Sequence, residues 1–300
     1  MLKRAISLLK LTFGVALLVI FTAGCNVERE WISSRDPSEA EAQEEMQEQA
    51  AFFDIESSPE LDRAAREYQG YVDGQSELLV DRTEEFVAAV EAGDVDEARK
   101  LYAPSRVPWE RIEPIAEKFG TLDPEVDARE GDVPDKQWTG FHRIEQALWV
   151  EDTTGGLDGY ARELISDVER LERQVDGVKL QASDPVFGAV ELLNEVSATK
   201  ITGEEERYSH TDLYDIAANV EGAEVAFEFV KPVVERQNPD LVTEIEARFR
   251  DMEREMEPYR RGDGWVSYGK VDEKERRELS QKIDALAEPL SRVGRVLSGS

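Results

Sequence analysis

Apolar residues recur along this chain at steps of three and four, the spacing that gathers side chains on one face of an α-helix. The longest stripe is Leu213, Ile216, Val220, Ala223, Phe227, Val230 and Val234, and every step in it is three or four. Leu164, Val168, Leu171, Val175 and Val178 form another, and Val186, Val190, Leu193 and Ser197 a third after Pro185. Leu241, Ile245, Phe249 and Met252 follow the Asn238-Pro239 break, and Ile283, Leu286, Leu290 and Val293 complete the last stripe. Nearer the N-terminus, Val72, Leu79, Phe86 and Val90 mark a long helix that Gly93-Asp94 interrupts. A shorter helix from Val95 to Tyr102 then leads into a turn at Pro104. Pro108 stands near the start of the next helix, whose apolar face is Ile112, Ile115 and Phe119.

These stripes predict an all-α fold of antiparallel helical bundles, with the Asp152 to Gly159 segment joining two helical groups. No strand-helix-strand alternation is present, and no glycine motif has the context of a nucleotide-binding fold.

The first residues carry a different pattern. Lys3, Arg4 and Lys10 precede an apolar run from Leu11 to Phe21, and Thr22-Ala23-Gly24-Cys25 ends it with small residues and the only cysteine. This arrangement predicts a lipoprotein signal peptide over 1–24 with Cys25 as the lipidated residue, since the run is shorter than the roughly 20 residues a spanning helix needs. An acidic tether over 25–49 and a helical domain over 50–300 follow. The chain is then expected outside the cell's interior, anchored to the outer face of the cytoplasmic membrane. Lipidation consumes the sole thiol, which excludes disulfides and zinc-cysteine sites.

Charge narrows the function further. The formal net charge is −30, and Asp and Glu are spread along every segment. Such a surface repels phosphates, so nucleic acid is not an expected partner. The composition resembles that of a protein from a high-salt environment, where screening weakens self-repulsion. Most carboxylates therefore count as solvation before any counts as a ligand.

The candidate chemistry lies in Thr139-Gly140-Phe141-His142-Arg143-Ile144-Glu145. On a helix, His142 and Glu145 project from one face and offer an imidazole and a carboxylate to one cation. Glu110, Glu113 and Glu117 recur at helical spacing upstream, so Glu110 and Glu113 are candidates to face that pair from another helix. Asp123, Asp127 and Glu130 follow within one short segment as lining for a cleft, with Asp127 the strongest optional ligand. A hard cation suits this donor set: Fe²⁺ or Fe³⁺, with zinc or copper as competitors.

Several separated motifs also resemble the imelysin-like iron-uptake proteins of the EfeO/EfeM group. They are Tyr102 through Pro114, Asp123 through Glu130, Thr139 through Glu145, Tyr208-Ser209-His210-Thr211-Asp212-Leu213 and Leu286-Ala287-Glu288-Pro289-Leu290, so the resemblance runs from about residue 60 to the C-terminus. It implies a pair of four-helix bundles with a metal-binding cleft, and His142 and Glu145 as the foremost ligands. It also implies a partner iron permease of EfeU type, often alongside a haem peroxidase of EfeB type. The cupredoxin domain of some members has no counterpart in this sequence, so copper-assisted electron transfer is not expected of this chain.

The expected function is a lipid-anchored, extracytoplasmic metal-binding protein that supports iron uptake, and not an enzyme. One alternative is a metal-dependent peptidase, although the chain lacks both His-Glu-x-x-His and its reverse, because Gln146 follows Glu145. Another is metal-assisted polysaccharide binding, with Trp109, Trp138 and Trp149 as stacking surfaces.

Overall fold

Ser58 and Pro59 open the longest helix, and they do so by supplying what a helix start lacks. The Ser58 side chain accepts from Leu61 N, Pro59 takes the first turn without wasting a donor, and Glu60 and Asp62 face the positive end of the dipole. The computed structural model describes residues 39–175 and 177–299. The signal segment 1–24, Cys25 and the tether up to residue 38 lie outside the described residues.

The helices are α1 (Glu39–Phe53), α2 (Pro59–Glu91), α3 (Val95–Ile112), α4 (Leu122–Asp127), α5 (Gly140–Gln146), α6 (Asp158–Val175), α7 (Ser183–Ala198), α8 (Asp212–Gln237), α9 (Pro239–Met256), α10 (Glu273–Ser291) and α11 (Val293–Ser298). Two-residue strands β1 (Arg260–Arg261) and β2 (Gly264–Trp265) pair as an antiparallel hairpin around Gly262. Among the described residues the fold is all-α apart from this hairpin and an isolated bridge between Glu130 and Val133. Among the described residues no helix is long and apolar enough to cross a membrane.

Helix α2 packs against α3 and α6, while α7, α8, α9 and α10 pack on one another; α8 also lies along α3 and α2 and so joins the two groups. The apolar stripes face inward as their spacing demands: Leu164, Val168 and Leu171 of α6, Val186 and Leu193 of α7, and Phe227 and Val234 of α8 are all closed to water. Burying one such side chain stabilises by about 1.5–3 kcal/mol.

Two local departures from the spacing position the site. The first is α3, which does not stop at Pro104 but runs through Pro104 and Pro108 to Ile112. A proline inside a helix costs about 3 kcal/mol because it removes a donor and crowds the preceding turn. Here Pro104 is on the exposed face, where the freed carbonyl meets solvent. Tyr102, Arg106, Trp109 and Ile112 on the other face are fully buried, and their packing outweighs the proline cost. The stretch that follows, Glu113–Phe119, is a tight 3₁₀ helix with Pro114 near its start, not a further α-helix.

The second departure is Gly140, the first residue of α5, with φ of +78°. A Cβ there would stand 2.2 Å from Val126 O, so α5 meets the end of α4 backbone to backbone. Trp138 Nε1 donates to Ala128 O at 2.8 Å and Thr139 Oγ1 to Glu125 O at 3.1 Å, which fastens the same junction. This contact brings Asp127 to His142. Gly222 in α8 likewise lies against Arg111 O, 2.3 Å from where its Cβ would be, and lets α8 approach the acidic end of α3.

Candidate metal centre

The unbroken α3 sets Tyr102, Arg106 and Glu110 four residues apart on one buried face. Arg106 is the hub. Its Nη2 lies 2.5 Å from Glu110 Oε1, and its Nη1 donates to Asp127 Oδ1. Its Nε lies 2.8 Å from Glu206 Oε1, at an angle that forms no hydrogen bond, and 3.5 Å from Asp215 Oδ1. The guanidinium also sits over the Phe141 ring, 5.6 Å from its centre. Removing a charge this size from water costs several kcal/mol, and only such a ring of partners offsets it.

His142 lies beyond Arg106 and presents its two nitrogens to different surroundings. Nδ1 is 3.2 Å from Glu145 Oε2 and 3.3 Å from Tyr102 Oη. Glu145 is itself held from behind, because its Oε1 accepts from Tyr208 N at 3.0 Å and Ser209 N at 2.8 Å. Nε2 points the other way, 3.5 Å from Asp127 Oδ1 and 3.9 Å from Glu205 Oε1, and it is buried with no hydrogen-bond partner. Ligand atoms of Asp127, His142 and Glu205 all lie within 4.8 Å of one another, and those of His142, Glu145 and Glu206 form a second such group. Both groups can hold a metal ion, and they share one imidazole.

The surrounding carboxylates hold the imidazole in its protonated form. Burial and the Arg106 charge each push His142 down, but Asp127 and Glu145 outweigh them and raise it to about 10. Burial raises Asp127, yet Arg106 and His142 hold it well below the usual carboxylate range. Glu206 is pushed up to about 8, first by burial and then by the neighbouring Glu145 charge. Burial and Asp127 raise Asp123 to about 7.

Lys200 supplies the other buried cation. Its Nζ lies 2.8 Å from both oxygens of Glu113, 3.2 Å from Glu110 Oε2 and 3.5 Å from Glu205 Oε1. Asn219 Nδ2 donates to Glu110 Oε2 at 3.0 Å and to Glu113 Oε2 at 2.9 Å. A cavity of about 220 Å³ opens beside this cluster, with Glu113, Asp123, Asp127, Lys200 and Glu205 in its wall. Glu195 and Asp132, at its rim, are exposed.

The structure thus gathers His142, Glu145 and Asp127, and sets Glu110 and Glu113 one cation away, across Arg106 and Lys200. Asp123 lines the cavity. Glu117 is exposed, and so is Glu130, whose carboxylate accepts from Gln146 Nε2 at 3.1 Å and from Tyr208 Oη. His210 is exposed too, with φ of +55°, and its carbonyl accepts from Tyr268 N, so it shapes the turn before α8. Trp109 is fully buried and Trp138 nearly so, and neither offers a face for stacking a sugar.

Arg106, Lys200, Glu205 and Glu206 have no place in the sequence-based site. The two glutamates sit inside Glu204-Glu205-Glu206, which reads as a solvated run in a chain this acidic. Arg106 carried a signal, since it stands four residues before Glu110, but only if the helix is taken through Pro104.

Residues 64–293 match the family model for imelysin, peptidase M75, which takes in every residue of the cluster. The chain belongs to the imelysin family. Among imelysin relatives, an EfeM/EfeO family lipoprotein of Staphylococcus haemolyticus (strain JCSC1435) is 42% identical over 245 residues, covering 79% of this chain and 85% of that protein. The iron uptake system component EfeO of Escherichia coli (strain K12) is 42% identical over 241 residues, again 79% of this chain. The chain spans only 64% of that EfeO protein, less than two thirds of its length.

Proposed function

We propose that this imelysin-family chain is an extracytoplasmic iron-binding protein, lipidated at Cys25 and held on the outer face of the cytoplasmic membrane, that supplies a membrane iron permease. The observation that carries this reading is the buried, unpartnered His142 Nε2, aimed between Asp127 and Glu205 at the wall of an acidic cavity. The 42% identity to an iron uptake component supports iron as the cargo.

Asp127, His142 and Glu205 hold the cation first, with Glu110 of α3 and Glu113 at the start of the 3₁₀ helix after it completing the shell. Glu145 acts through His142: it fixes the Nδ1 side, so that the Nε2 lone pair turns to the metal. Carboxylate oxygens with one imidazole suit iron, and zinc and copper are the competitors. Because His142 holds a proton up to about pH 10 without metal, binding at neutral pH releases that proton. The receiving partner is a permease of EfeU type, alongside a haem peroxidase of EfeB type. The two helical groups correspond to a pair of four-helix bundles with the site at their junction.

We read the chain as a binding protein, not an enzyme. A zinc peptidase needs several ligands, an open position for water and a placed base. Here a single imidazole serves both metal-capable groups. Anaerobic Fe²⁺ titration tests the reading: wild type binds, and His142→Ala lowers affinity at least ~100-fold by removing the nitrogen both groups share. Equal affinity in the two proteins refutes the site.

A further inference from the structure

Lys200 is caged by carboxylates. The residue is 1% exposed, and its ammonium lies within 3.5 Å of carboxylate oxygens from Glu110, Glu113 and Glu205. Glu110 lies in α3 and Glu113 opens the 3₁₀ helix that follows it, and Glu205 also belongs to the group around His142 Nε2. A compact positive charge already fills the cage that a cation needs, and two such charges cannot share these oxygens without strong repulsion.

Arg106 and Lys200 differ in their freedom. Arg106 is locked by a planar fork that several carboxylates and the Phe141 ring grip from different sides. Lys200 is a point charge on a flexible four-carbon stem, which makes and breaks contacts by bond rotation alone. Its backbone is fixed, because Tyr268 Oη donates to Ile201 O at 2.6 Å and Arg276 Nη1 to Thr202 O at 3.0 Å. Its side chain has somewhere to go: it borders the 220 Å³ cavity, whose wall also carries Asp123 and Glu195.

We propose that Lys200 is a tethered counter-cation, which fills the Glu110–Glu113–Glu205 cage in the metal-free protein and swings into the cavity when Fe²⁺ enters. Binding is then an exchange of one cation for another. The ammonium keeps the cage assembled without metal and, by returning, helps to expel the ion on delivery. This rests on the metal reading above and adds to it a residue that sets affinity and release.

The test uses the full-length protein in detergent, with Fe²⁺ added under anaerobic conditions. Lys200→Met should bind Fe²⁺ about ten-fold tighter or more, since the competing charge is gone. Lys200→Arg, whose fork resists displacement, should bind more weakly than wild type. In wild type, acetylation of Lys200 followed by mass spectrometry should accelerate several-fold when Fe²⁺ saturates the protein. Unchanged Lys200 reactivity on saturation overturns the exchange, whatever the variants do, and so does a Lys200→Met protein that binds no tighter. If Fe²⁺ binding is abolished by His142→Ala yet indifferent to Lys200, the metal site stands and the exchange falls. If no variant and no wild type binds Fe²⁺, both fall together.

Discussion

The core of the α7–α10 group and the cluster where α3, α5 and the turn before α8 meet are equally closed to water and built from opposite materials. Leu193, Phe227, Ile245, Leu279 and Leu286 fill the first, while Arg106, Glu110, His142, Glu145 and Glu206 fill the second, all at 1% exposure or less. An apolar interior gains free energy from every Å² it hides. A charged interior must first offset the desolvation of each ion, so it contributes little net stability and depends on every partner being present. The comparison separates the part of the molecule that holds the fold from the part that is poised to take up a cation.

The contrast is sharpest when one side chain is cut from each interior. Arg106→Met should cost about 3–5 kcal/mol in urea unfolding, because Glu110, Asp127 and Glu206 are left without their counter-charge. Leu193→Ala should cost about 2–5 kcal/mol through an ordinary cavity and leave Fe²⁺ affinity as it is in wild type. A Leu193→Ala protein with weakened Fe²⁺ binding would show that the two regions are not separable.

A smaller effect is expected at Glu145. Glu145→Gln keeps the shape and removes the charge that orients His142, so Fe²⁺ affinity should fall about 10–100-fold. Loss of all binding would instead make Glu145 a direct ligand.

Only the charged interior responds strongly to pH. Asp123 and Asp212 are raised to about 7 and Glu206 to about 8, each first by burial, so the folded chain holds their protons longer than the unfolded chain does. Their protonated forms favour folding, and that benefit is lost as pH rises from about 4 through 8. His142, raised to about 10, favours folding below about 6.5 and loses this contribution as pH climbs through 10. Metal-free protein should therefore melt at lower temperature at pH 9 than at pH 6, and saturating Fe²⁺ should narrow the gap, since the metal replaces the His142 proton. A melting temperature that rises over this range contradicts the assignment.

The two interiors also differ in how far they could be read from sequence. The apolar one repeats a spacing that physics fixes, and stripes such as Leu213 to Val234 give α8 almost to its ends. The charged one is assembled from α3, α5 and the turn before α8, whose pairings no local period encodes. His142 and Glu145 stand out because histidine is rare here and the three-residue step is local. Glu205 and Glu206 are hidden among 66 acidic residues of the chain. Lys200 is hidden for another reason: an ammonium is no metal ligand, and no local period marks a lysine for burial among carboxylates. Pro104 misleads because its own preference is outvoted by Tyr102, Arg106 and Trp109.

Gly140 has one more consequence. Since α4 and α5 touch through bare backbone at Val126, the separation of the main chains that carry Asp127 and His142 is set by that contact. Any side chain added at Gly140 would pry the two helix ends apart and carry the carboxylate away from the imidazole.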